Sequence, residues 1–428
     1  MIIWQLFYIY QQLKYKNDKY LKEKIGYSTL NEIQKLNEYK LKCKKNNREE
    51  KILWFHAESI GESFSVISLV KKLCDKNYFI IFTTNTTIGK QAIRDKLKDN
   101  VAIQYFPYPN KKYIKRFYDT WRPEKIFFIE DEIYPTILSF LKKKNKNIYL
   151  LNARMSNKSF KHWKIFKHYI KTVLLKYDFI FTQTIEEKKK FKFLTNGYKN
   201  IEYIGNLKIS SSILNKEEIL NEFNENDNQD NVVAKCKILK QNCENRKIIV
   251  FGSIHSEEFF YLVWQYVMLT RTINIIGIFA PRNINEINEL EHILRDNNIL
   301  STKWTDFCGN IENNTIIVDT IGELSKIYNI CDIAVACGSF AKNIGGHNPL
   351  EPISLQKNTF IGEYCEKCKG IVNELVKSGC LIQTSNLYTD IIKNIHNPVE
   401  QQLLAKNSSI FLQQHNDIDD KIIKTLNL

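Results

Sequence analysis

Short apolar runs, each followed by a segment of helical period, recur along this chain from Lys51 almost to its end. KILWFHA, YFIIFTT, EKIFFIE, NIYLLNA and YDFIFTQ read as buried strands, and SFSVISLVKKL, between the first two, as an amphipathic helix. Strands that are apolar on both faces pair in parallel and need helices above and below, so this alternation fixes an α/β class. The rhythm pauses near Asn206, crosses a polar stretch of helical character from Glu217 to Asn245, and restarts with IIVFGS, INIIGIFAP, TIIVD, DIAVACGS and NTFIGE. Two consecutive α/β units follow, joined near residues 206–215, with a tail from Pro398 to Leu428 that reads as one or two helices.

A chain of 428 residues is too long for one core, and 43% hydrophobic residues suffice for two. The formal charge of +15 favours anionic partners. Lys and Asn are abundant everywhere, so part of that charge is compositional. The lysines are dispersed and no nucleic-acid module is legible, which argues against nucleic acid as the partner. Ten scattered cysteines and no evident cleavable signal favour a reducing compartment. Cys365 and Cys368 form a CxxC with no second ligand pair, so no metal is expected. The N-terminal MIIWQLFYIYQQLKYKNDKYLKEK is too short to span a bilayer, and its aromatic run followed by lysines suits a helix in an anionic membrane interface.

In open parallel sheets, ligands bind beyond the carboxyl ends of the strands. Three loops there stand out. After KILWFHA, Ser59 and Glu62 have capping-box spacing, and Glu62, with Gly61 beside it, is also placed as a general base; spacing alone favours the cap. After TIIVD, Thr320 and Glu323 repeat that spacing, and the small residues there suit a phosphate at a helix N-terminus. The third loop, IGGHNPLEP, concentrates Gly345, Gly346, Pro349 and Pro352 in a chain with 15 Gly and 8 Pro overall. It predicts a tight glycine turn, with Asn348 capping the next helix, Pro349 at its first position, and Glu351 placed to accept hydrogen bonds from ribose hydroxyls.

GGHNPLEP (345–352), HAESIGE (56–62), IEDEIYP (129–135), NARMS (152–156), GNLK (205–208), SIHSEE (253–258), PR (281–282) and TIGEL (320–324) together resemble, in order, the 3-deoxy-D-manno-octulosonic acid (Kdo) transferases of lipopolysaccharide synthesis. The resemblance covers roughly residues 20–400. It implies a GT-B glycosyltransferase: two Rossmann-like domains facing each other across a cleft, here with an N-terminal membrane-interface helix. It implies CMP-Kdo as donor, a tetraacylated lipid A precursor (lipid IVA) as acceptor, inversion at the anomeric carbon, no metal or other cofactor, and a peripheral place on the cytoplasmic face of the inner membrane. Carried over by position, Glu62 is the proton acceptor, and Glu130 and Lys208 stabilise the transition state. Pro281 and Arg282, then Ile321, Gly322 and Glu323, then Asn348, Pro349, Leu350 and Glu351 hold CMP. Three departures from the family pattern are Glu58 in place of an aliphatic residue, Asn283 in place of a histidine, and GEYCEKC (362–368) in place of GPH-x-x-NF.

The expected organisation is a membrane-interface segment (1–25), an acceptor domain (45–205), a CMP-sugar domain (206–397) and C-terminal helices (398–428). The competing readings are another GT-B nucleotide-sugar enzyme, either a different transferase or an epimerase, and a non-catalytic basic protein of membrane surfaces. Preference for CMP over UDP separates the first of these from Kdo transfer.

Overall fold

The computed structural model describes residues 18–97, 101–224, 231–309 and 313–428. The chain divides into two compact units, Met1–Ser211 with Asp417–Leu428, and Ser212–Asn416. Residues 1–17, most of the expected membrane-interface segment, lie outside the described residues.

The first unit is built on seven strands: β1 Ile52–His56, β2 Phe79–Thr84, β3 Val101–Tyr105, β4 Lys125–Ile129, β5 Asn147–Ala153, β6 Phe179–Thr182 and β7 Ile201–Tyr203. Their order is β3-β2-β1-β4-β5-β6-β7, and every pairing is parallel. β1 and β2 are buried along their whole length, as strands covered on both faces must be. Trp54 and Phe128 pack against Phe117 on one face, while Phe55 stacks on Phe127 with ring centres 4.5 Å apart. At the β3 edge the helices Asp18–Lys24 and Leu30–Lys45 supply acceptors that the sheet lacks. Glu23 takes the Tyr105 N–H at 2.7 Å and pairs with Lys90, and Glu32 takes the Ile103 N–H at 3.1 Å and pairs with Arg94. Edge amides are thereby satisfied and closed to further pairing. The last helix, Ile418–Thr425, also belongs to this unit: Asp420 pairs with Lys72 at 2.9 Å, and the Leu426 carbonyl accepts from Lys125.

The second unit repeats the plan with β8 Lys247–Ile254, β9 Ile275–Pro281, β10 Thr302–Lys303, β11 Thr315–Ile317, β12 Ile333–Ala336, β13 Asn358–Ile361 and β14 Ile382–Gln383. The order is β10-β11-β9-β8-β12-β13-β14, again all parallel. Each sheet reverses its winding once, between β1 and β4 in the first and between β8 and β12 in the second. Those two switch points are where a sheet of this kind opens a crevice for a ligand. Among the described residues no helix is long and apolar enough to cross a membrane.

Candidate active site

The first unit's switch point gathers carboxylates. Glu62 completes the capping box that its spacing predicts on the helix Ile60–Ser65: Ser59 Oγ donates to its Oε1 at 2.8 Å, and the Glu58 N–H donates to its Oε2 at 2.8 Å. The capping role therefore exists, yet the carboxyl remains only half buried and has a proton affinity that a cap alone does not need. Burial pushes its pKa up, the nearby Glu130 charge adds to this, and the hydrogen bonds from Ser59 and Glu58 counter it.

Glu130 leaves β4 with a left-handed backbone, φ +68°, a conformation that costs a non-glycine residue energy and places its side chain off the strand's normal line. It is 1% exposed and carries two cations, Arg154 at 2.7 Å and Lys208 at 2.8 Å. A buried carboxylate is tolerable only when paired in this way. Lys208 is presented by a second left-handed residue. Asn152, φ +54°, sits where the β5–β6 register shifts, and its Oδ1 accepts from the Leu207 N–H at 3.1 Å, fixing the start of the helix Leu207–Asn224. Glu62, Glu130 and Lys208, singled out in sequence, thus share one loop cluster of the first unit.

Two neighbours went unread in the sequence. Arg154 could have been marked by its place just after an apolar run. Glu132 is buried beside Tyr134 and His56, whose Nε2 lies 3.8 Å from Glu132 Oε1. Burial lifts the Glu132 carboxyl to about 9 and drops the His56 imidazole to about 3, so both are neutral at pH 7.

In the second unit, the three segments expected to hold a nucleotide follow β9, β11 and β12. Pro281 ends β9, the Arg282 N–H donates to the Ile254 carbonyl at 2.7 Å, and the Arg282 side chain is exposed. Asn283, the departure beside it, caps its own turn by accepting from the Asn285 N–H and donating to Glu286. The second capping box does not form. The helix starts only at Leu324, the Glu323 carboxylate instead accepts from the Trp304 indole at 2.6 Å, and buried Thr320 Oγ1 has no hydrogen-bond partner. A side-chain contact from 19 residues away outcompetes the local cap, which spacing alone cannot report. Ile321 is 81% exposed.

The glycine turn forms as expected, with Gly345 and Gly346 at φ +97° and +79°. Any Cβ on Gly346 would lie 2.9 Å from Cys368 Sγ. The loop 362–368, which departs from the family pattern, clasps this turn, its Lys367 N–H donating to the Gly345 carbonyl at 2.9 Å. Asn348 accepts from the Leu350 N–H at 3.2 Å; the helix runs Leu350–Ser354, so Pro349 stands at the cap and not at the first helical position. Glu351 accepts from Ser325 at 3.0 Å. Sequence reasoning missed what secures the turn to β8. Glu258, fully buried, accepts from the His255, Gly338 and Phe340 N–H groups, and His255 Nε2 meets His347 Nε2 at 2.8 Å. The absence of a side chain on Gly338 makes room, since its Cβ would stand 2.6 Å from the His347 ring. Burial holds His347 down near 4, with the charges of His255, Arg282 and Lys367 adding to the effect.

The model of the 3-deoxy-D-manno-octulosonic-acid transferase (kdotransferase) family matches residues 30–211. A bifunctional glycosyltransferase/methyltransferase of Fusobacterium nucleatum is 27% identical over 388 residues, 89% of this chain, which spans 58% of that relative's length. A 3-deoxy-D-manno-octulosonic acid transferase of Rickettsia typhi is 25% identical over 398 residues, 91% of this chain and 81% of its own. Among solved structures, UDP-GlcNAc 2-epimerase from Neisseria meningitidis bound to UDP-GlcNAc shares the fold, with a TM-score of 0.60 at 12% identity over 88% of this chain and 99% of that one.

Proposed function

We propose that the chain is a glycosyltransferase of the Kdo transferase type, to which residues 30–211 are similar, and that it moves Kdo from CMP-Kdo to a lipid A precursor, lipid IVA, with inversion, working as a peripheral protein on the cytoplasmic face of the inner membrane. The observation that carries this reading is the Glu62–Glu130–Lys208–Arg154 cluster at the first unit's switch point. Glu62 takes the proton from the acceptor hydroxyl as that oxygen attacks the anomeric carbon. Its neighbour Glu130 raises its basicity through like charge, and the Ser59 and Glu58 hydrogen bonds hold its orientation. Lys208 and Arg154, oriented by Glu130, supply fixed positive charge where charge shifts during transfer.

In the second unit, the Pro281–Arg282, Ile321–Glu323 and Asn348–Glu351 segments hold CMP. Exposed Arg282 offsets the charge that develops on the leaving phosphate, and the orphaned Thr320 hydroxyl offers a hydrogen bond beside them. No step of this transfer calls for a metal or other cofactor. The test is donor binding by calorimetry: Arg282→Ala and Glu351→Ala are each expected to weaken CMP binding tenfold or more with the fold retained. Unchanged affinity in both variants would remove the donor assignment.

The epimerase fold likeness keeps a second reading specific enough to test, because that structure is bound to UDP-GlcNAc, a uridine nucleotide-sugar. A preference for UDP over CMP would favour it.

A further inference from the structure

The loop that clasps the glycine turn carries a pair of thiols that no step of the transfer uses. GEYCEKC (362–368) leaves β13 and is moored to the end of β12, the Gly362 N–H donating to Ser339 Oγ at 2.8 Å and the Tyr364 N–H to the Ser339 carbonyl at 3.0 Å. Within it the Cys368 N–H donates to the Cys365 carbonyl at 3.1 Å, closing a turn whose end α-carbons lie within ~7 Å, about the reach of a disulfide. The two thiols already hydrogen-bond to each other. Their surroundings differ. Cys365 is 5% exposed, its S–H donates to the Gly362 carbonyl at 3.1 Å, and its sulfur accepts from Gln383 Nε2 at 3.9 Å. Cys368 is half-buried, stands at the start of the nine-residue helix Lys369–Lys377, and has Lys367 and Lys369 on either side. A helix N-terminus and neighbouring ammonium groups favour a thiolate at Cys368, whereas the bond with Cys368 and burial hold the Cys365 thiol protonated. Among the described residues no group of three His, Cys, Asp or Glu side chains could hold a metal, so the pair is not part of a metal site there.

We propose that Cys365 and Cys368 form a reversible thiol–disulfide site, oxidised by low-molecular-weight disulfides of the glutathione class, and that its oxidation loosens the nucleotide-binding turn at Gly345 and Gly346. The Cys368 thiolate attacks one sulfur of the small disulfide, whose S–S bond breaks and whose other half leaves as a thiol. Cys365 then gives up its proton and attacks Cys368 Sγ, expelling the second half as a thiol. The chain loses two electrons and two protons, and the small disulfide gains them. Both cysteines border the turn: the position a Cβ on Gly346 would take is 2.9 Å from Cys368 Sγ and 3.2 Å from Cys365 Cα. Cys368 Sγ also donates to the Gly345 carbonyl at 3.9 Å, beside the Lys367 N–H. A sulfur–sulfur bond of ~2.05 Å removes both S–H donors and draws Cys368 from its place against Gly346. The turn is thereby coupled to the redox state of the loop that holds it. The coupling rests on the CMP assignment proposed above, while the disulfide does not.

The test equilibrates the full chain in buffers of graded reduced-to-oxidised glutathione ratio, blocks the remaining thiols by alkylation, and maps the peptides by mass spectrometry. Cys365 and Cys368 are expected to leave the alkylated pool together, joined to each other, and to return on adding dithiothreitol. Cys365→Ser should accumulate glutathione on Cys368, whereas Cys368→Ser should leave Cys365 unmodified. Full alkylation of both thiols in excess oxidised glutathione overturns the site, as does a wild type that stops at glutathione on Cys368. CMP binding is read by calorimetry on the same samples. Oxidation should weaken it tenfold or more in the wild type, reversibly and with a folded thermal transition retained, and should leave both serine variants unaffected. By reciprocity CMP should then favour the dithiol by the same factor, a shift of about 30 mV for this two-electron couple. Equal CMP affinity of the reduced and oxidised wild type overturns the coupling, and so does a loss that accompanies unfolding. If the reduced wild type binds no CMP, the donor assignment fails while the disulfide result stands by itself.

Discussion

Glu62 is at once a helix cap and the proposed base, and the two roles can be pulled apart. Glutamine satisfies the same cap but cannot take a proton. Glu62→Gln is therefore expected to keep the melting temperature while lowering the transfer rate ~100- to 10,000-fold. Because burial and Glu130 raise the Glu62 pKa, the wild-type rate should fall on the acid side with an inflection above the ordinary glutamate value of about 4.3, since the base must be ionised. Glu130→Gln should move that inflection toward lower pH, and a pH profile unchanged by the substitution would separate the two carboxylates. Glu132 gives a stability effect of definite sign. Its folded pKa, near 9, lies above the unfolded value, so its contribution is fully present at low pH and is lost as pH rises toward 9. Glu132→Gln should accordingly flatten the fall in melting temperature between pH 5 and about 9, measured by thermal unfolding. Sequence spacing reached Glu62 because a capping box is local. It could not reach the Glu130–Arg154–Lys208 ion pairs, whose partners lie just after β4, just after β5 and in the first turn of the helix Leu207–Asn224.

At the scale of elements, the strands were legible because burial on both faces leaves continuous apolar runs, and the capped helix Ile60–Ser65 followed from its spacing. What the runs conceal are the places where the regular ladder breaks. The β5–β6 shift at Asn152 and the β8–β9 shift near Ser253 put left-handed residues at the carboxyl ends of strands, and neither has a sequence signature. The failed capping box at Thr320–Glu323 is the same lesson: Trp304, in a different loop, claims the glutamate. Glu258 shows how much rests on one such contact. It ties the ends of β8 and β12 through three backbone amides, and Glu258→Ala would leave the Gly338 and Phe340 N–H groups without an acceptor. A loss of ~2–3 kcal/mol is expected, read as a lower denaturation midpoint, together with weaker CMP binding. Gly346→Ala, which sets a Cβ against Cys368 in a left-handed backbone, should weaken CMP binding while disturbing the rest of the fold far less.

For the whole molecule, two seven-stranded parallel sheets, which differ in strand order only on the side of β10 and β11, place two loop clusters at their switch points, one acidic with paired cations and one built on glycine turns and helix starts. Composition and alternation gave this duplication in advance, whereas the functional meaning came from eight short motifs in family order. Folds of this kind serve transferases and epimerases alike, so the architecture alone does not choose the reaction. The reaction itself does. Purified full-length chain incubated with CMP-Kdo and lipid IVA, with the lipid read by mass spectrometry, should yield product heavier by one or more Kdo residues, together with released CMP and no requirement for added metal. An unmodified lipid with CMP-Kdo intact, from protein that is folded, would contradict Kdo transfer as the activity of this chain.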